Sequence, residues 1–208
     1  MFINFEGGDG SGKSTQSSIL AENLKKEGFK VRLLQEPGST QLGNYLRRWL
    51  KQEDTSPLAE LFLFEAARAE LIHKIIEPAL KNNTVIICDR FSDSTLAYQG
   101  FGRGIPLGDI IQLNQIATQG IMVNLTFLLD CAPFKSLNRT MQTDGTNNER
   151  EEEGIRFEKE TLEFHTRVRQ GYLKLATKDP TRWHVINAEK DIDSISKEIW
   201  DTTIKLLT

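Results

Sequence analysis

Residues 2–15, Phe-Ile-Asn-Phe-Glu-Gly-Gly-Asp-Gly-Ser-Gly-Lys-Ser-Thr, constrain this chain more than any other stretch. They read as an apolar strand, a glycine-rich turn and the start of a helix. From Gly7 to Ser14 the spacing is G-x-x-x-x-G-K-[ST], the pattern of a loop that cradles phosphates. Gly7, Gly8, Gly10 and Gly12 let successive N–H groups turn toward one point without Cβ clashes. A helix N-terminus faces the same point, and its unsatisfied donors and dipole favour an anion. The loop from Gly7 through Gly8, Asp9, Gly10, Ser11 and Gly12 to Lys13, Ser14 and Thr15 is therefore the expected nucleoside triphosphate site. Lys13 is placed to reach the terminal phosphates, and the Ser14 hydroxyl to ligate Mg²⁺.

A chain of 208 residues is long enough for one α/β domain with a sizeable core. Its formal net charge of −3 argues against a sequence-independent grip on a nucleic-acid backbone, so no nucleic-acid partner is expected. No apolar run approaches membrane-span length, and no membrane partner is expected. Met1 leads straight into the first strand, leaving no room for a signal peptide. Cys88 and Cys131 sit at the ends of apolar runs and read as buried free thiols. A reducing, cytoplasmic setting follows.

Five apolar runs read as strands: 2–6, 31–35, 85–89, 125–130 and 183–187. Helical patterns lie between them. This alternation predicts a three-layer α/β fold of the phosphate-loop NTPase type, a five-stranded parallel sheet with helices on both faces and a mobile lid. It predicts one nucleotide-binding domain over 1–208. Such sheets bind ligands beyond the carboxyl ends of their strands, and the motifs fall at that edge. The first helix is expected from Lys13 to about Glu27, and another from about Leu42 to Lys51. Thr55-Ser-Pro57 reads as a helix start, with Pro57 at the first position. The helix that follows, to Leu80, is apolar nearly all round in its first half and should bury more than one side. One side meets the sheet; the other is expected to meet a second copy, giving a homodimer through helix 58–72.

Asp89 ends the third strand after four apolar residues. It reads either as a second metal-site residue holding Mg²⁺ through water opposite Ser14, or as a cap of the next helix. Thr95, Tyr98 and Gln99 are spaced at three and four, so they share one helical face. From the residues alone that face is either a reader of a planar polar ligand or a plain polar surface. After the fourth strand and Pro133 comes a helix bearing Arg139. The tract 144–158 then holds six acids and two arginines. It reads as a disordered loop or as a lid over phosphates, at about 142–156. A long helix is expected from about Ile155 to Thr177, and a last amphipathic one from Ile192 to Leu207.

A guanine-reading Asn-Lys-x-Asp is absent, which excludes a switch-type GTPase. Arginines are spread along the chain at 47, 68, 90, 103, 139, 150 and 156. A kinase that moves a phosphoryl group between two anionic nucleotides needs such a supply, because arginine pairs bidentately and stays charged.

Phe-Glu-Gly-x-Asp-Gly-Ser-Gly-Lys-Ser-Thr-Gln, Glu-Pro-Gly-x-Thr, Phe64-x-x-x-Arg68, Asp-Arg-Phe and Ser-Thr-x-Ala-Tyr-Gln-Gly together resemble the bacterial thymidylate kinase family. The resemblance continues through Arg-Phe-Glu (156–158) and Arg-Val-Arg (167–169), so it covers essentially the whole chain. It implies ATP + dTMP → ADP + dTDP with Mg²⁺, in a homodimer. It implies that Asp9 accepts from the 3′-hydroxyl of dTMP, and that Glu36 and Pro37 border the acceptor site. Arg47 and Arg90 would hold the acceptor phosphate, Arg90 near the transferred group as well. Phe64 would stack on thymine, Arg68 donate to a base carbonyl, and Thr95 and Gln99 read the base edge. Tyr98 would pack beside the sugar, and Arg139 lie over adenine.

Members of this family differ in where the key arginine sits. Gly10 follows Asp9 here, so the phosphate loop does not supply it, and the resemblance sends it to the lid. This lid is acidic where such lids are arginine-rich, and it offers Arg150 and Arg156. Arg150 is the expected catalytic lid residue, beside Lys13 and Arg90. Gln35 stands where an arginine often precedes Glu-Pro-Gly, and Ser39 replaces a second glycine. Two alternatives remain: a kinase for another pyrimidine monophosphate or a deoxynucleoside, and a nucleotide-binding protein without transfer activity.

Overall fold

The computed structural model describes residues 1–52, 54–144 and 160–207. The strands β1 (Phe2–Glu6), β2 (Val31–Gln35), β3 (Val85–Asp89), β4 (Leu125–Asp130) and β5 (Trp183–Asn187) form one parallel sheet in the order β2-β3-β1-β4-β5. Their bounds are those read from the sequence. Strands β1 and β3 are buried at every position, which is why they read as unbroken apolar runs. Strand β1 therefore lies at the centre of the sheet, and the phosphate loop leaves from its carboxyl end. The register sets Phe5 beside Asp89 and Gln35 beside Asp89, so the ends of β1, β3 and β2 are level.

Alternate residues of β1 feed the two faces. Ile3 and Phe5 pack with Leu20 and Leu24 of α1 (Lys13–Lys26), with Phe127, and with Ile195 and Ile199 of the last helix, Ile192–Leu207. On the other face Phe2 packs with Leu71, Ile72, Ile76, Ile86 and Phe91. A third cluster joins Ala97, Tyr98 and Leu128 to Phe164, Val168, Tyr172 and Trp183. This is the expected three-layer arrangement.

Helix α2 (Gln41–Gln52) follows β2. Helix α3 (Pro57–Leu71) begins as predicted: Pro57 is at the first position and the Ser56 hydroxyl accepts from the Ala59 N–H at 3.4 Å. The single long helix expected to Leu80 instead passes through a π-helical turn, Ile72–Ile76, into α4 (Glu77–Lys81). After β3, α5 (Ser92–Thr95) opens into a second π-helical stretch, Leu96–Gly102. Helix α6 (Leu107–Thr118), which the sequence reading did not pick out, packs on α3. Helix α7 (Pro133–Asp144) carries Arg139.

Most of the expected lid, residues 145–156, lies outside the described residues, as do Arg150 and Arg156. The long helix is shorter than predicted at its start. Thr161 is its N-cap, with its hydroxyl accepting from the Phe164 N–H at 3.2 Å, and α8 runs Leu162–Lys178. A capping threonine, which stops the helix from extending backward, is the reason.

The π-helical stretch and α8 cross closely. A Cβ on Gly102 would meet the Phe164 ring at 2.6 Å, and one on Gly171 would meet Phe101 ring and Cβ atoms at 2.5–2.8 Å. These two glycines let the segment bearing Tyr98 and Gln99 sit tightly against α8. Helix α9 (Ile192–Leu207) closes the chain. No helix among the described residues is long and apolar enough to cross a membrane.

Candidate active site

The loop after β1 is built to receive an anion. Gly12, at φ 95°, is the N-cap of α1 and offers no side-chain oxygen to the first helical N–H groups. Those donors stay available at the positive end of the helix. Gly7 is held at φ 142°, and a Cβ there would lie 2.6 Å from the Leu129 carbonyl oxygen. Lys13 is buried and donates to the Gly8 carbonyl at 2.7 Å and to Ser11 Oγ at 3.5 Å. Burial, with the Arg90 charge nearby, pulls its ammonium down to about 8. The Ser14 hydroxyl donates to Asp89 Oδ2, so the strand-end aspartate and the loop hydroxyl meet directly. They set two hard oxygens side by side. Among the described residues no group of three or more His, Cys, Asp or Glu forms a metal cage. This pair fits Mg²⁺, which keeps waters and phosphate oxygens as most of its ligands.

Arg90 ties the loop to β3. Its Nη2 donates to Asp9 Oδ1 at 2.5 Å and to the Tyr98 hydroxyl at 3.0 Å; its Nη1 donates to the Gly7 carbonyl at 3.1 Å and to the Tyr172 hydroxyl at 3.2 Å. The Tyr98 hydroxyl in turn donates to Asp9 Oδ2 at 2.8 Å. Asp9 is thus gripped on both oxygens. Burial alone would raise its carboxyl, but Arg90, Lys13 and the Tyr98 bond outweigh it and hold Asp9 at about 2. Arg90 sits at φ 72°, a left-handed conformation that a long side chain rarely adopts. Its N–H bonds the Phe5 carbonyl at 3.0 Å, which fixes that conformation.

A carboxylate lies beneath this network. Glu6 is fully buried at the end of β1, and burial raises its carboxyl above the ordinary range. Its Oε1 accepts from Asn4 at 2.9 Å and the Phe91 N–H at 3.0 Å; its Oε2 accepts from Ser94 at 2.6 Å and Tyr172 at 2.8 Å. Both of the latter hydroxyls also face Arg90.

A cavity of about 270 Å³ opens beside the loop at the carboxyl edge of the sheet. Every acceptor-side residue singled out in the sequence lines it: Asp9, Glu36, Pro37, Arg47, Phe64, Arg68, Arg90, Thr95, Tyr98 and Gln99. Lys13, Ser14 and Asp89 line it too, so it is continuous with the phosphate loop. Gly10 of the loop, with Gln35, Leu50 and Ser94, completes the wall; the last three are lining residues that the sequence did not point to. The three helical positions 95, 98 and 99 do share a face, and that face is the cavity wall. Gly7 and Gly8 instead border a small recess with Ser136 and His165. Arg139 stands apart from the cavity, donating to the Ala188 carbonyl at 3.0 Å.

Arg68 is almost wholly buried and spends its guanidinium inside the protein. Nε and Nη2 donate to Glu36 Oε2 at 3.0 and 2.8 Å, and Nη2 also reaches the Phe91 carbonyl at 3.4 Å. Nη1 donates to Glu65 at 2.7 Å and Asn114 at 2.6 Å. Asn114 Oδ1 also meets the Thr95 hydroxyl at 3.2 Å. A contact from Arg68 to a base would therefore have to be exchanged for one of these bonds. Glu36 Oε1, buried at the cavity, takes no bond among the described residues, and burial pushes this carboxyl up against the pull of Arg68. Glu65, Asn114, Glu6 and Tyr172 escaped the sequence reading. Each is a buried polar residue whose role depends on partners distant in sequence, and only the fold brings them behind the site.

The family model for thymidylate kinase matches residues 5–199 of this chain. A thymidylate kinase from Synechococcus sp. is 46% identical over 201 residues, spanning 96% of this chain and 92% of the relative. One from Solidesulfovibrio magneticus is 43% identical over 210 residues, with both chains covered in full. The crystal structure of thymidylate kinase from Ehrlichia chaffeensis superposes with a TM-score of 0.77 at 37% identity, covering 100% of this chain and 98% of that one.

The Asp9 cluster predicts a pH-dependent stability. A carboxyl held at about 2, against 3.8 when unperturbed, contributes stability that is complete well above pH 4 and is lost as pH falls through 2. By urea denaturation, Asp9→Asn should be about 2 kcal/mol less stable than the native chain at pH 7, shrinking to roughly half that at pH 3. A difference independent of pH would show that Asp9 is not held by charge.

Proposed function

This chain belongs to the thymidylate kinase family, and we propose that it phosphorylates dTMP to dTDP with ATP as donor and Mg²⁺ as cofactor. The observation that carries this reading is the joining of two sites by Asp9 and Arg90. The ion pair lies where the phosphate loop meets a cavity lined by an aromatic ring, an amide and several arginines. A donor polyphosphate on the loop and an acceptor nucleotide in the cavity would bring their phosphates together there.

In this reading the N–H groups from Gly7 to Thr15 and the Lys13 ammonium hold the ATP phosphates, and Arg139 covers adenine. Phe64 stacks on the base, which is worth about 1–3 kcal/mol where such stacking is measured. Arg68, Thr95 and Gln99 read the base edge. The unbonded Glu36 Oε1 is a buried acceptor beside Pro37. Asp9 accepts from the sugar 3′-hydroxyl, and Tyr98 crowds the neighbouring sugar position. Arg47 and Arg90 hold the acceptor phosphate. Ser14 and Asp89 would hold Mg²⁺, which when bound supplies positive charge to the polyphosphate. An acceptor phosphate oxygen, already ionised, attacks the transferring phosphorus in line, so no strong general base is needed. Lys13, Arg90 and a lid arginine, which we take to be Arg150, neutralise the charge that spreads over the transferred group.

Leu58 and Phe62 of α3 are about half exposed in the single chain, as is Ile111 of the adjoining α6. An apolar surface of this kind suits burial against a second copy. We therefore propose a homodimer through the segment 58–72.

Two measurements test these assignments. Lys13→Ala should lower kcat roughly 10²–10³-fold with the fold intact by circular dichroism; near-native turnover would refute its role. In the same assay Arg150→Ala should lower kcat more than it raises the dTMP KM, and a larger kcat loss in Arg156→Ala would move the lid role there. Light scattering at micromolar concentration should give twice the 23.6 kDa of one chain, and a monomer would contradict the dimer.

A further inference from the structure

Behind Gln99, outside the cavity lining, sits a carboxylate with no part in phosphate binding. Glu60 of α3 is fully buried. Gln99 Nε2 donates to its Oε1 at 2.7 Å. Arg103 donates to the same carboxylate through Nε and Nη2, both at 3.3 Å. Arg103 is itself fixed, bonded to Glu160 at 2.5 Å and lying 4.9 Å over the Phe164 ring. A buried charge of this kind is costly to keep and strongly destabilising to break, so its retention on a largely apolar helix calls for a reason.

The hydrogen-bond chemistry of the pair supplies one. A carboxylate paired with a guanidinium offers only acceptor oxygens. The Gln99 amide can therefore turn only its nitrogen toward Glu60, since the reverse would set two oxygens 2.7 Å apart. Its Oε1 is left for the cavity, where no described residue donates to it. An acceptor at that place wants a donor from the ligand. Thymine and uracil carry N–H at ring position 3; cytosine has a bare acceptor nitrogen there and would leave both groups unpaired.

We propose that Glu60 is a positioning residue for base selectivity: by pinning the Gln99 amide with its carbonyl toward the cavity, it makes the site take pyrimidines that bear N3–H and refuse cytosine. The inference rests on the reading of the cavity as the dTMP site. It gives the charged residue inside α3 a task that packing alone does not explain.

Purified enzyme, ATP and Mg²⁺ are enough to test it, with kcat/KM measured for dTMP, dUMP and dCMP. The native chain should prefer dTMP over dCMP by far more than it prefers dTMP over dUMP. In Glu60→Gln one of the two acceptor oxygens becomes an NH₂. With that NH₂ in the place of Oε1, which in the native chain takes both Gln99 and Arg103 Nε, Gln99 turns its nitrogen to the cavity, so the orientation is no longer fixed. The dTMP-to-dCMP ratio should fall at least tenfold, in part through a gain on dCMP, while the dTMP-to-dUMP ratio stays within about twofold. If Glu60→Gln does not fold, Glu60→Asp keeps a carboxylate on α3 but withdraws it from Gln99 by one methylene, and the same fall is expected. A parallel loss on all three substrates, with ratios unmoved, would overturn the role and leave Glu60 a packing residue. A native chain inactive on dTMP would instead overturn the functional reading itself.

Discussion

The ion pair between Asp9 and Arg90 is the contact on which the site depends. It joins the loop after β1 to the end of β3 at 2.5 Å, and Arg90 adopts a left-handed backbone to make it. Strain of that kind costs on the order of 1–3 kcal/mol and persists only where the surroundings over-determine it. Here the surroundings do so: two tyrosine hydroxyls, the Gly7 carbonyl and the buried Glu6 close around the guanidinium. Removing one partner of such a pair leaves the other charge partly buried and uncompensated, which for the loss of the Asp9 carboxylate costs about 2 kcal/mol. The same two residues face both the phosphate loop and the cavity. One structural tie therefore fixes the relative position of two binding sites.

A second layer of polar residues stands behind the first. Glu6 orients Ser94 and Tyr172, which face Arg90. Glu65 and Asn114 occupy Arg68. Glu60 and Arg103 hold Gln99. In each case a side chain at the cavity is fixed by another that does not touch it. Dipoles held in place before a ligand arrives need little reorganisation during reaction, and that is how a site of fixed charges stabilises a charged transition state. The tight crossing of the π-helical stretch over α8, allowed by Gly102 and Gly171, holds Tyr98 and Gln99 to the same frame.

The central strands and the phosphate loop were legible in the sequence because their signals are local. Strand β1 reads as an apolar run because both its faces are covered, and the loop reads from glycine spacing. The cavity wall was legible through resemblance to a family, with positions 95, 98 and 99 also marked by helical spacing. What the sequence hid is tertiary. Glu60 and Glu65 look like the solvent side of a helix, yet they face inward, while Leu58 and Phe62 on the same helix are exposed in the single chain. An acidic tract has no period to contradict a helix, so the sequence puts the start of α8 ahead of its Thr161 cap. The π-helical turns in the segments after α3 and α5 have no pattern distinct from an α-helix at that length.

The central claim is that the cavity beside the phosphate loop takes dTMP as phosphoryl acceptor. A coupled ADP-release assay with ATP and Mg²⁺ against dTMP, dUMP, dCMP, AMP and thymidine tests it most directly. The account predicts the highest kcat/KM on dTMP, a weaker rate on dUMP, because a methyl group is worth only about 1–3 kcal/mol, and no transfer to unphosphorylated thymidine. Preference for another monophosphate, transfer to thymidine, or no ADP release with dTMP would contradict it.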